Sequence, residues 1–237
     1  MPINSFGRSN KKSILTLNNV SYVYKNRYQT VQAVKDVSFS FEQGKVYAVM
    51  GKSGSGKTTM LSLLAGLDLP SEGQVIFGGT ATNDMNRDKY RREDVSVIYQ
   101  AYNLFPLLTA LENVMYPLEL KGVKAKEAKV QAAEMIKSVG LTEVVFKRFP
   151  AMLSGGEQQR VAIARAIVSQ PKVILADEPT GNLDTENGEK IVKLLKDLAY
   201  DMNCCVIIVT HDPAVANHAD VVLRMQDGEV VQEEKVS

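Results

Sequence analysis

Apolar residues along this chain keep two rhythms. Val46 to Met50, Val173 to Ala176 and Val206 to Val209 are unbroken apolar runs, the pattern of strands buried on both faces of a parallel sheet. Elsewhere apolar and polar positions alternate. Ile14 to Tyr24 predicts one half-buried strand, and Val37, Phe39 and Phe41, set among Ser38, Ser40 and Glu42, predict a second. Antiparallel pairing is the natural arrangement for these two, with polar Lys25 to Gln32 as the turn. Gln74 to Phe77 leads into a Gly78-Gly79 hairpin signal. Val95 to Tyr99, Val221 to Met225 and Glu229 to Gln232 complete the strands, the last two joined by a Gln-Asp-Gly turn.

Between the strands the spacing changes to that of helices. Thr58 to Ala65 predicts one that ends at Gly66, and Ala110 to Leu120 and Ala125 to Val139 predict two more, the second closed by Gly140. Gln158 to Val168 carries Val161, Ile163, Ala164 and Ile167, and Glu186 to Met202 carries Ile191, Leu194, Leu195 and Leu198 at helical spacing. That last stripe reads as core. The alternation of strands and helices predicts the α/β class, with a mostly parallel sheet flanked by helices, an antiparallel β subdomain and a helical insertion over about residues 100–165. Residues 1–13 are polar and read as a loose tail, leaving 14–237 as a single domain without repeats or a flexible linker.

Composition narrows the function classes. With 28 basic and 27 acidic residues the net charge of +1 supplies no field for a polyanion, so nucleic acid is not the expected partner. No apolar run approaches the roughly 18 residues that span a bilayer, and the N-terminus lacks a signal-peptide core, so a cytoplasmic location is expected. Cys204 and Cys205 are adjacent and head an apolar run; they read as buried strand residues, not as a disulfide framework or zinc site.

The chemistry centres on Gly51-Lys52-Ser53-Gly54-Ser55-Gly56-Lys57-Thr58, followed by Thr59. This pattern, between a buried strand and a helix, is a P-loop: glycines allow a tight turn whose N–H groups face a polyphosphate. Lys57 reaches the β and γ phosphates, and the Thr58 hydroxyl ligates Mg²⁺. Asp177 and Glu178 end the second buried strand, where one acid can support Mg²⁺ through water and the next can orient or deprotonate an attacking water. His211 ends the third buried strand, at the same sheet edge. Ser154-Gly155-Gly156-Glu157 opens a helix with a serine N-cap, either a second phosphate site or a plainly capped helix.

Together these pieces resemble the nucleotide-binding subunit of ATP-binding-cassette (ABC) transporters over nearly the whole chain. Gly51 to Thr59 matches Walker A, Leu153-Ser-Gly-Gly-Glu-Gln-Gln-Arg160 the family signature, and Val173 to Glu178 Walker B. Gln100 falls at the Q-loop, Gly181 to Asp184 at the D-loop, His211 at the switch histidine and Tyr24 at the adenine-stacking position. The resemblance implies an ATPase with ATP and Mg²⁺ as ligands. Gly51 to Thr59 would bind the nucleotide, with Lys57, Thr58, Thr59 and the cradle N–H groups on phosphate; Gln100 would sense Mg²⁺ and γ-phosphate, and Asp177 would support the metal. Glu178 would be the general base, and His211 would hold the attacking water. Ser154 and Gly156 would bind ATP held by a second subunit. Chain order alone would return the signature helix to the sheet beside its own cradle, so action in trans, in a head-to-tail homodimer, is implied by the family only.

The stretches Gln100 to Val114 and Asp177 to Asp184 look most like the branch that contains macrolide-export, lipoprotein-release and antimicrobial-peptide-resistance ATPases. That implies a separate integral membrane permease driven for export or extraction, with this chain peripheral on the inner face of the membrane. Lys52 departs from the neutral residue frequent in the branch, with a modest effect expected. Apolar, irregular Leu104 to Leu108 reads either as a groove for a short helix of the permease or as packing inside the helical insertion. The alternative function class is a soluble ABC ATPase of translation or DNA repair, which tandem cassettes, a coiled coil or a basic arm would favour.

Overall fold

The computed structural model describes residues 13–25 and 27–236. The expected tail lies outside them except for Ser13, which heads β1 (Ser13–Lys25). The three unbroken apolar runs are the middle of one sheet: β3 (Val46–Met50), β7 (Val173–Asp177) and β8 (Cys205–Thr210). With β6 (Val95–Ile98), β9 (Val221–Gln226) and β10 (Glu229–Lys235) they run in the order β10-β9-β3-β8-β7-β6, all parallel except the edge strand β10. Why the runs are unbroken is visible in the two cores. Val46, Ala48, Val206 and Ile208 enter one, whereas Tyr47, Val49, Ile207 and Val209 enter the other, so every apolar position along these strands is buried.

The first core lies under α3 (Ala110–Leu120), α4 (Ala125–Ser138), α5 (Gly155–Ile167) and α6 (Thr185–Asp201). The second is shared by α1 (Lys57–Leu64) and an antiparallel sheet. That sheet has the order β2-β1-β4-β5, with β2 (Thr30–Glu42), β4 (Glu72–Phe77) and β5 (Thr80–Ala81). The expected pairing of β1 with β2 is present, Leu17 opposite Phe39 and Tyr24 opposite Val31. The turn is shorter than its polarity suggests, because β2 starts at Thr30. Thr30, Val31 and Gln32 are all exposed, so no buried face marks them as strand. The Lys35 N–H donates to Gly228 O at 2.8 Å and the Gly228 N–H donates to Ser55 O at 3.1 Å, which joins β2 and the β9–β10 turn to the P-loop.

Two helices among the described residues go beyond the sequence-based expectations: the single turn Pro213–Ala216, and α2 (Arg87–Glu93), where Tyr90 is the sole buried residue. Asn86 caps it by accepting from the Lys89 N–H, with Asp88 in the first turn and Arg91 and Arg92 in the last. Between β6 and α3, Leu104 to Leu108 forms no regular element. It is held by Asn113 of α3, whose Oδ1 accepts from the Phe105 N–H at 2.8 Å while its Nδ2 donates to the carbonyls of Phe105, Leu108 and Thr109. Asn113 is wholly buried, so its truncation strands several backbone groups at once. We expect Asn113→Ala to lower unfolding free energy by about 2 kcal/mol or more. Urea denaturation measures it, and a loss below about 0.5 kcal/mol, the level of an ordinary surface change, would remove the staple role.

Candidate nucleotide-binding and hydrolysis site

The parallel register sets the site. Met50 of β3 lies opposite Thr210 of β8, and Val209 lies opposite Asp177 of β7, so the C-terminal ends of three neighbouring strands coincide. The segments leaving these strands therefore meet at one sheet edge: the P-loop after Met50, Glu178 after Asp177, and His211 after Thr210. They line one cleft of about 790 Å³ together with Tyr24, Val31, Ala33 and Gln100. That volume is within the roughly 300–1,000 Å³ of small-molecule sites.

The P-loop is wrapped around its own lysine. Lys57 is buried, and its Nζ donates to Gly51 O at 2.7 Å and Lys52 O at 2.9 Å, which holds the loop as a ring with the charge at its centre. Gly56 is obligatory on two counts. Its φ is +100°, and a Cβ there would stand 2.1 Å from Ala33 O of β2. Ser55 is buried and Gly228 closes over its carbonyl, whereas Lys52, Ser53 and Gly54 are exposed on the rim. Tyr24, half-exposed, stands at the end of β1 with its hydroxyl 3.3 Å from Thr59 Oγ1. Its ring packs edge-on against Tyr22 and lines the cleft.

Opposite the cradle, the Thr58 hydroxyl donates to Asp177 Oδ2 at 3.5 Å. Burial, and then the charge of Glu178, raise the Asp177 carboxyl above the usual carboxylate range, against the lowering pull of Thr58 and Lys57. A divalent cation held by Thr58 and Asp177 would offset both raising effects. Among the described residues no three His, Cys, Asp or Glu side chains gather as a metal cage. One hydroxyl and one carboxylate, with phosphate oxygens and water for the rest, suit Mg²⁺, which keeps several waters and takes few protein ligands.

Glu178 adopts a left-handed backbone, φ +47°, fixed by its N–H donating to Val209 O at 2.9 Å. Such a conformation is unfavourable for a residue with a Cβ and is held here by the surrounding bonds. It turns the carboxylate towards β8, where Oε1 meets His211 Nδ1 at 2.7 Å and Oε2 accepts from the Thr210 hydroxyl at 3.5 Å. The carboxylate is largely buried and the imidazole mostly exposed, so an acid next to Asp177 is paired with an exposed ring on the wall of the cleft. Gln100 completes the cleft. Its carbonyl accepts from Asn182 Nδ2 at 2.8 Å, and Gly181 passes so close that a Cβ would lie 2.6 Å from Gln100 Nε2.

The expected signature residues and Asp184 lie outside this cleft. Ser154 caps α5, its hydroxyl accepting from the Glu157 N–H while the Glu157 carboxylate accepts from the Ser154 N–H. Gly155 and Gly156 lie between them in the first turn. Asp184 caps α6 by accepting from the Asn187 N–H and side chain, bonds that lower its carboxyl below the usual range. Val31, Ala33 and Val209 do line the cleft and carry no signal in the sequence beyond being small or apolar.

A strand-loop-helix phosphate cradle, with acids at the end of the parallel strand one place removed in the same sheet, defines a P-loop nucleoside triphosphatase. The family described as ABC transporter matches residues 34–181. Over 229 residues the chain is 44% identical to the uncharacterised ABC transporter ATP-binding protein MJ0796 of Methanocaldococcus jannaschii, covering 94% of this chain and 97% of that one. It is 44% identical over 213 residues to the lipoprotein-releasing system ATP-binding protein LolD of Saccharophagus degradans, 89% and 93% of the two chains. A solved dimer of MJ0796 in a post-hydrolysis state, bound to ADP and Pi, superposes with a TM-score of 0.88 at 42% identity, over 94% of this chain and 99% of that one. This chain belongs to the ABC transporter family, as an ATP-binding subunit that takes ATP with Mg²⁺ and hydrolyses it in work coupled to transport.

Proposed function

We propose that the chain is the motor of an exporter or extractor: it dimerises head to tail on ATP, hydrolyses it at two composite sites and drives a separate membrane permease. The observation that carries this reading is the division of the catalytic set. The cradle, Asp177, Glu178, His211 and Gln100 share one cleft, while Ser154 to Glu157 lie outside it on an accessible helix start. A second copy facing the cleft would complete it. The Ser154 oxygen accepts from the Glu157 N–H, which leaves its proton to donate to a γ-phosphate, and the N-terminus of α5 adds its positive end. In this reading Tyr24 stacks the adenine, Lys57, Thr58 and Thr59 hold phosphate, and Asp177 and Gln100 support Mg²⁺. Glu178 deprotonates the water and His211 orients it.

No helix among the described residues is long and apolar enough to cross a membrane, so the transported molecule would cross through another chain. The docking surface would be that around Leu104 to Leu108. Leu104 packs into the core, but Phe105 is 40% and Leu107 86% exposed, so the segment is both packing and apolar surface. Phe105 stacks edge-on with Tyr116 and, with Leu120 of α3, lines a groove beside Arg91 and Arg92. Likeness to LolD supports lipoprotein extraction as the cargo chemistry, ahead of peptide or drug export, and a position on the inner face of the membrane. We expect Phe105→Glu to remove co-purification with the membrane subunit from gently solubilised membranes while ATP binding stays within about twofold. Loss of ATP binding as well would mean that Phe105 is core and would end the docking assignment.

A further inference from the structure

We propose that Arg165 is a positioning residue that latches the signature helix to the segment following Gln100, so that a ligand bound at Gln100 also sets the pose of Ser154. The inference rests on the dimer reading above for its consequence, though not for its geometry. Tyr102 and Asn103 are both left-handed, at φ +61° and +48°. Neither is glycine, and two such residues in succession are unfavourable unless held. They are held by α5. Arg165 Nη2 donates to Tyr102 O at 3.0 Å and Nη1 to Asn103 O at 2.8 Å, with the guanidinium 5.6 Å from the centroid of the Phe105 ring. The two carbonyls lie within reach of one arginine fork, which a lysine cannot reproduce.

Arg165 is partly buried and has no carboxylate partner among the described residues. A cation taken from water for two carbonyls and a ring face is an expensive way to pack a helix, so fixing these groups in place is its evident use. The segment is gripped at its other side as well. Gln100 O accepts from Asn182, and the Tyr102 hydroxyl stands 3.0 Å from where a Cβ on Gly155 would be. Residues 100–103 therefore touch α5 at its first residue through Tyr102 and near its C-terminal end through Arg165. A shift of Gln100 towards bound Mg²⁺ and phosphate moves α5 as one piece and carries Ser154 with it.

The test compares Arg165→Met and Arg165→Lys with the parent, all carrying Glu178→Gln so that ATP persists. The first readout is hydrogen exchange of the Gly155 to Glu157 amides at protein concentrations low enough for monomers to dominate. ATP should slow exchange in the parent, fail to do so in Arg165→Met, and give an intermediate result in Arg165→Lys. Equal ATP-dependent protection in all three, or none in the parent, overturns the latch whatever the oligomeric state. The second readout is the ATP concentration that half-saturates dimerisation, expected to rise about tenfold in Arg165→Met with monomer affinity for ATP unchanged. A parent that never dimerises refutes the dimer reading and leaves the exchange result to judge the latch. Should Arg165→Met fail to fold, Arg165→Lys carries the comparison alone, and parent-like protection in it overturns the proposal.

Discussion

Glu178→Gln should keep ATP binding and lower ATP turnover by about a hundredfold or more, the usual contribution of a general base. The amide preserves the size of the side chain and an oxygen for His211, so the 2.7 Å contact and the left-handed turn at Glu178 can persist without the proton acceptor. With hydrolysis blocked, the complex that precedes it accumulates. Light scattering on a sizing column should therefore give twice the chain mass in Mg-ATP and the single mass in ADP. Persistent monomers with ATP bound would count against the sandwich. Turnover near that of the parent would pass the role of base to another group.

Lys57→Ala acts at the earlier step. Lys57 Nζ is enclosed by the loop carbonyls of Gly51 and Lys52, and a phosphate bound there exchanges with or adds to those contacts. Charge-assisted bonds of this kind are worth about 1.5–3 kcal/mol each, so affinity for ATP should fall by about a hundredfold. Titration with a fluorescent ATP analogue measures it. The two variants separate binding from chemistry: one should hold ATP without turning it over, and the other should scarcely hold it. Affinity within about threefold of the parent in Lys57→Ala would mean that the backbone N–H groups alone bind the phosphates.

How far the sequence discloses this molecule depends on where each signal resides. β3, β7 and β8 are legible because each is buried on both faces, and the parallel register then forces Gly51, Glu178 and His211 to one edge. Alternation reveals the middle of β2 but not its start at Thr30, where exposure removes the contrast between faces. α2 is illegible by periodicity, since only Tyr90 of its residues is buried; the cap at Asn86 and the charges at its two ends are its only marks. Asn113 reads as one polar residue in an apolar stripe, and its work on the backbone of 105–109 depends on a fold that brings a loop over it. The left-handed pair Tyr102-Asn103 and the guanidinium that holds it are likewise tertiary facts. Ser154 is the extreme case. Its cap is plain in Ser-Gly-Gly-Glu, but the phosphate proposed for it would be held by another copy of the chain, and the only sign of that within one copy is tertiary: the fold leaves Ser154 outside the cleft.

Complementation between two disabled variants tests that assignment most directly. Lys57→Ala spoils a cradle and Ser154→Arg spoils a signature, so each homodimer should be inactive. In a mixed dimer the intact cradle of one protomer faces the intact signature of the other, and the two lesions share the remaining site. If the sites form between copies, mixing the two dead proteins restores ATPase activity, to about a quarter of the parent rate for random pairing with one working site per mixed dimer. If Ser154 serves its own cradle, each chain carries a lesion it cannot share, and the mixture stays as inactive as its parts.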